Sequence, residues 1–512
     1  MKPLFFLIVP LALASIPATS FAGAASVPKS KLVEQEQAPT VAKSTADIAS
    51  DSLIRVNSTN QTYDFFRPWM KKAPYMRRGT GVILPDNRVL VTAELVANHS
   101  YVELEKPGSA EKCPAEVLIV DYEADLALLK PSREDFLEKS KPLEIASGAK
   151  VGDKMEILQL EANGDVARTP GVVTTISVSD YPMDSIGLLS YRLSVPLQSR
   201  DGSFTIPAVK DGKLLGLLMR YDSRSQTAEL VPPPVIDHFL ADAALPQYPG
   251  FPRLGISISP TRDPQFRRYI GLKDGGVYVT DVTPGGSAEK AGIKRGDAIT
   301  SVAGKSIDQD GNYDDPEYGK ISFSHLLNTL GRSGETVEIA ILRDGKEQTI
   351  PVVLSPLDHS RVASESYVMD TQPKYFILGG LIFQELSRPY LYEWGGNWRK
   401  EAPQRLVYLD AFQNELPKDR GKIVFLSQVL PAESTVGYEG LDHLVVSKIN
   451  DVPIKGLADV AKAASQPKNG FHKIEFEEDP GVIYLDAEDV QKNTDQIIQH
   501  YNLPASNNLD TK

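Results

Sequence analysis

From Gly79 to Leu218 the chain is written as short β-rich runs closed by turn residues: Gly81 to Leu84, Val89 to Val91, Val102 to Leu104, Val117 to Val120, Leu126 to Leu129, Met155 to Leu160, Val172 to Val178, Leu188 to Leu193 and Leu214 to Leu218. Many short strands at this spacing indicate an all-β barrel or a pair of barrels. The segment Val231-Pro232-Pro233-Pro234 then leads into an apolar, helix-like run from Val235 to Leu240. A first folded unit over residues 55–245 follows.

Ahead of it, Met1-Lys2, an apolar stretch from Leu4 to Ala14 and the small residues of Ser20-Phe21-Ala22 read as an export signal over residues 1–22. No other stretch approaches the roughly 18 apolar residues that a spanning helix needs, so no membrane span is expected. Residues 23–54, rich in Ala, Ser, Pro, Lys, Glu and Gln, read as a flexible linker. The expected location is outside the cytoplasm, in a periplasm or similar compartment. The single cysteine, Cys113, cannot form an internal disulfide. A net charge of −12 argues against nucleic acid and anionic membrane surfaces, which reward a basic face.

Pro246, Pro249 and Pro252 mark a hinge. Beyond it, residues 251–356 hold a strand, Gly276 to Val282, then a Gly-rich turn and short helix, Pro284-Gly285-Gly286-Ser287-Ala288-Glu289-Lys290-Ala291-Gly292, and a further strand near Ala298-Ile299. Residues 357–372 read as a linker, 373–504 as a third unit and 505–512 as a tail. The third unit repeats part of the second: the run from Ala298 to Ile307 has a counterpart from Val445 to Ile454, two strands around a turn in each.

With Ala291-Gly292-Ile293, Gly296-Asp297 and Asp121-Tyr122-Glu123-Ala124-Asp125-Leu126-Ala127-Leu128-Leu129 in view, the chain resembles the HtrA/Deg family, a trypsin-like domain followed by PDZ domains. Gly379-Gly380-Leu381-Ile382-Phe383 and Leu426-Ser427-Gln428-Val429-Leu430 are most similar to plant-type Deg proteases with a divergent second PDZ. The resemblance implies a mainly β fold: a trypsin-like double β-barrel followed by two PDZ-like α+β domains. It places the triad aspartate on Asp125.

The departures fall on the chemistry. In Val89-Leu90-Val91-Thr92-Ala93-Glu94-Leu95-Val96 the family's histidine is matched by Glu94, or by Leu95 under the alternative anchor. The Gly-x-Ser-Gly-Gly-Pro segment is matched by Gly202-Ser203-Phe204-Thr205-Ile206-Pro207, with Phe204 at the nucleophile position. A serine needs a neighbouring base to take its proton, and an oxyanion hole needs open backbone N–H groups, which Phe204, Thr205 and Ile206 are expected to crowd. The fallback is an unorthodox endopeptidase site pairing Ser203 with His99 or Glu94. Of the seven histidines, His99 and His238 alone fall in this unit.

What survives is binding. A PDZ domain adds a peptide strand to a sheet edge and captures its terminal carboxylate in backbone N–H groups. Here Arg253, Leu254, Gly255 and Ile256 match that loop, Ile256 and Ile258 lie on the edge strand, and a helix over 321–330 with Phe323, Leu326, Leu327 and Leu330 forms the facing wall. The expected partners are C-terminal or unfolded segments of envelope proteins. The acidic loop from Asp308 to Asp315 lacks the spacing of a calcium site, and no metal or cofactor is expected. Phe65, Phe66 and Trp69, read as lying just ahead of the barrel, are expected either to join a homo-oligomer, a trimer in the family, or to bury within the chain. The sequence therefore points to a non-proteolytic peptide-binding scaffold, chaperone or regulator of protein quality control.

Overall fold

The computed structural model describes residues 51–161, 163–183, 186–198, 205–417 and 419–509. The segment read as an export signal (1–22), nearly all of the segment read as a linker (23–54), Ser203 and Phe204 lie outside the described residues.

Six strands, β1 (Leu53–Asn60), β2 (Tyr75–Ile83), β3 (Val89–Val91), β4 (His99–Glu105), β5 (Lys112–Asp121) and β6 (Leu126–Pro131), close into a barrel in the order β1-β2-β3-β6-β5-β4. A second barrel runs β10-β11-β12-β9-β8-β7, from β7 (Lys154–Leu160), β8 (Val166–Asp180), β9 (Gly187–Ser194), β10 (Pro207–Lys210), β11 (Lys213–Asp222) and β12 (Thr227–Val231). Closure leaves neither sheet with an open edge. β1 is a strand that periodicity does not reveal, because Ser58 and Asn60 are polar yet fully buried. Asn60 earns its place by donating from Nδ2 to the carbonyls of Leu95 (3.1 Å) and Ala97 (2.8 Å), which a helix end would otherwise leave unsatisfied. The aromatic segment is thus not ahead of the barrel but inside it, as the β1–β2 connection.

At the proline-marked hinge the two units pack against each other. The helix Pro233–Ala243 brings His238 against Phe251, ring centroids 4.2 Å apart, and both side chains are buried. Through them the core of the second barrel continues into the next unit's core at Val277, Ile299 and Ile339. That unit has a sheet ordered β13-β14-β15-β19-β20, from β13 (Ile256–Pro260), β14 (Val277–Val282), β15 (Ala298–Val302), β19 (Thr336–Arg343) and β20 (Lys346–Val353), with β16 (Lys305–Ser306) beside β15 and a β17 (Asn312–Asp315)–β18 (Gly319–Ser322) hairpin.

The last unit repeats this plan. β21 (Tyr375–Leu378), β22 (Leu381–Glu385), β23 (Val424–Val429), β24 (Leu444–Ile449), β26 (Phe471–Phe476), β27 (Val482–Asp486) and β28 (Asn507–Asn508) form one sheet, β27-β26-β24-β23-β22-β21-β28, with β25 (Val452–Pro453) beside β24. The β24–β25 pair corresponds to β15–β16, as the internal repeat implies, and places β22 where β13 stands. One difference is decisive for binding. β13 ends its sheet, whereas β22 is covered by β21 in register from Tyr375↔Gln384 to Leu378↔Leu381. The turn between them needs Gly379, at φ 56°, where an added Cβ would come within 2.7 Å of Val490.

The aromatic loop packs against the last unit. Phe66 meets Trp394 (4.8 Å) and Tyr390 (5.6 Å), Trp69 meets Tyr375 (5.8 Å), and Phe65 joins the cluster of Tyr390 and Leu391. Lys72 pairs with Glu393 at 2.6 Å. These rings pack against the chain's own last unit, with Phe65 and Trp69 half-buried and Phe66 still exposed. Among the described residues, no helix is long and apolar enough to cross a membrane.

Candidate functional site

The buried strand β3 delivers the chain into a short helix, Ala93–Val96, and Glu94 is its exposed residue. Opposite lies the turn before β6, where Asp125 adopts φ 54°, a left-handed conformation that Asp tolerates better than most residues. Its carboxylate is buried, and Oδ1 accepts the backbone N–H of Glu94 at 3.0 Å. Burial pushes its pKa up to about 7, and the charge of Glu94 adds to this, while the N–H groups of Glu94 and Ala93 and the Arg77 guanidinium pull the other way. A triad aspartate orients the ring N–H of a base. Glu94 has no ring nitrogen to receive that bond. Its carboxylate turns instead toward Arg77, 3.8 Å away, and Arg77 also donates to the Glu94 carbonyl.

Thr205 is the first described residue after Phe204. It is fully buried, with Oγ1 2.7 Å from Thr92 Oγ1 and accepting the Thr92 N–H at 3.0 Å, and its carbonyl accepts the Thr80 N–H at 3.0 Å. Thr205 and Ile206 are both buried, and the residues just before them, at the expected oxyanion pocket, lie outside the described residues.

Each of the two histidines of this unit has its Nδ1 beside a backbone carbonyl, and Ser203, the partner in the fallback site with His99 or Glu94, lies outside the described residues. His99 begins β4 with Nδ1 2.9 Å from the Val96 carbonyl. His238 is fully buried, with Nδ1 2.8 Å from the Thr329 carbonyl and Nε2 3.3 Å from Asp242, and burial holds its pKa below the ordinary histidine value. It belongs to the joint with the next unit.

The peptide-binding candidates do converge. Along Arg253-Leu254-Gly255, three successive carbonyls turn inward to accept the N–H groups of Ser287 (3.3 Å), Ala288 (2.8 Å) and Thr283 (2.9 Å). In a planar trans peptide the N–H opposes the C=O, so the N–H groups of Leu254, Gly255 and Ile256 face outward, together, at the head of the β13 edge. Gly255 makes this possible: its φ is 74°, and an added Cβ would lie 3.0 Å from the Gly286 backbone. Beside this loop is a cleft of about 400 Å³, lined by Arg253 to Ile256, Ile258, Phe323 and Leu327.

The wall differs from the expected one. Ile321 lies in β18, and the helix, His325–Leu330, is a wider π-type turn, so the ordinary helical stripe does not apply. Ser324, Leu327 and Asn328 face the cleft, Leu326 packs toward the core, and Leu330 is half-exposed. Sequence reasoning also misses a third wall, contributed by Val178, Asp180, Ile186 and Gly187 of the second barrel. Asn328 Nδ2 ties the helix to it by donating to the Gly187 carbonyl at 3.0 Å.

In the acidic loop, Asp308 accepts the N–H groups of Asp310 and Asn312 and lies 3.3 Å from Lys320, while Asp310 pairs with Arg262. Among the described residues, no group of His, Cys, Asp and Glu is arranged to hold a metal ion.

Models of the PDZ domain match residues 252–354 and 365–510. Across nearly the whole chain it is similar to "Protease Do-like 2, chloroplastic" of Arabidopsis thaliana, 29% identical over 469 residues, covering 90% of this chain and 75% of that one. It is 30% identical over 149 residues to "Putative protease Do-like 6, chloroplastic" of the same plant, covering 29% of this chain and 68% of that one. Among solved structures, the HtrA-type protease AlgW with decapeptide aligns at 16% identity and a TM-score of 0.46, over 61% of this chain and 98% of that one. Two barrels of trypsin-like type, two PDZ domains and these relatives place the chain in the HtrA/Deg family of Do-like proteases.

Proposed function

We propose that this is an exported, non-proteolytic member of the family, which binds apolar C-termini or unfolded segments of envelope proteins as a scaffold, chaperone or regulator. The observation that carries the reading is the Asp125 carboxylate: it is spent on a backbone N–H, and the residue beside it is Glu94, paired with Arg77, in place of an imidazole. The export signal in residues 1–22 supports the location. Chloroplastic and mitochondrial names among the relatives also fit a compartment reached by targeting. Binding rests on the first PDZ unit, because its β13 edge is open while the chain's own β21 lies on the corresponding edge of the second.

Fluorescence anisotropy with a labelled synthetic decapeptide ending in three apolar residues tests this. Binding is expected, and Gly255→Val should weaken it at least about tenfold, because a β-branched residue is strained at positive φ and turns the N–H array. Equal affinity in the two proteins, or no binding to any free C-terminus, contradicts the reading.

A further inference from the structure

The segment between the two PDZ units does more than connect them. Asp370 and Asn98 exchange a reciprocal pair of bonds: Asn98 N–H donates to Asp370 Oδ1 at 2.7 Å, and Asp370 N–H to Asn98 Oδ1 at 2.9 Å. The other Asp370 oxygen accepts the Tyr122 hydroxyl. Both Asp370 and Asn98 stand at positive φ, 58° and 55°, which Asp and Asn tolerate better than other side chains. Asn98 lies just beyond the helix that carries Glu94, and Tyr122 opens the turn that ends in Asp125. One carboxylate thus fastens both halves of the corner from outside the barrel.

The same turn is held by the two segments that flank the first PDZ unit. Before that unit, the Tyr248 hydroxyl donates to Asp121 Oδ2 at 2.6 Å; after it, His359 Nε2 lies 3.2 Å from Glu123 Oε1. Tyr367 packs against both Tyr122 (5.9 Å) and His359 (5.4 Å). The bonds made by Asp370 lie at partly solvated positions, Asp370 itself being exposed, so water can replace them without opening an apolar core, whereas Asp121 and Glu123 are buried. That is the character of a releasable catch.

We propose that the inter-PDZ segment is a clasp on the Glu94/Asp125 corner, with Asp370 as its catch, so that lifting this segment loosens both loops together. The proposal is independent of whether the corner is catalytic.

Hydrogen–deuterium exchange on the full-length chain tests it. Asp370→Gly removes the carboxylate while keeping a residue that accepts positive φ. Amides in 93–98 and 121–125 are expected to exchange at least about tenfold faster, with 207–218 and 277–282 unchanged. Tyr122→Phe deletes one hydroxyl and should release 121–125 while leaving 93–98 at its original rate. An unchanged rate at either corner loop in a folded Asp370→Gly protein overturns the clasp. If that variant unfolds throughout, Tyr122→Phe decides: release confined to 121–125 supports the clasp, and any other pattern overturns it.

Discussion

Phe251→Ala is expected to cost about 3–5 kcal/mol of stability, the usual toll of deleting a buried aromatic side chain. Phe251 is 1% exposed and stacks on His238 at 4.2 Å, at the point where the core of the second barrel runs into that of the first PDZ unit. Its removal leaves a cavity that collapses poorly, because His238 is held on its other side by the Thr329 carbonyl and Asp242. Barrel and PDZ unit share one core, so the loss should also separate their unfolding. Urea titrations followed by exchange in 214–218 and in 277–282 check this. Coincident midpoints in the native protein, and lowered, split midpoints in the variant, are the expected result. Unaltered stability would mean that the proline segment is a free hinge.

The second large effect is on pH dependence. Asp125, buried, has its pKa pushed up to about 7 from an ordinary value of 3.8. The folded state therefore holds this proton more tightly than the unfolded chain does. Stability is greatest below the unfolded value, falls as pH rises from about 4, and the loss is complete once pH passes the folded value near 7. A shift of this size corresponds to about 4 kcal/mol. Asp121, raised to about 6 by burial and then by the charge of Glu123, acts in the same direction. Exposed carboxylates held low by a lysine, such as Glu144 beside Lys213, oppose it but are screened by solvent. Asp125→Asn keeps an oxygen to accept the Glu94 N–H and has no proton to lose. Unfolding free energies at pH 5 and pH 8 should differ by about 3 kcal/mol less in this variant than in the native chain, because part of the loss has already occurred below pH 5. Parallel profiles would show that Asp125 is not the titrating group.

Much of the fold is legible in the sequence wherever burial follows a period. The strand predicted at Val89 to Val91 is β3, Met155 to Leu160 lies in β7, and the match between Ala298 to Ile307 and Val445 to Ile454 is a repeated strand–turn–strand. Periodicity fails where polar groups are buried for a tertiary reason. β1 is hidden because Asn60 serves the carbonyls of a helix distant in sequence. Arg77 gives no local sign that it faces Glu94, and Asp180 none that it walls a cleft in the next unit. An α-helical stripe places Leu330 on the wall, and a π-type turn does not obey that stripe. Composition marks 357–372 as a linker, and it does join two units, yet Asp370 and His359 fasten it to the first barrel through partners that sequence spacing cannot disclose.

On the proposed reading, the barrels keep a protease's architecture without its proton acceptor. The most direct measurement is casein turnover by the purified full-length chain beside its Ser203→Ala variant. Turnover no higher than buffer in both is the predicted result; cleavage by the native chain that disappears in the variant would contradict the account.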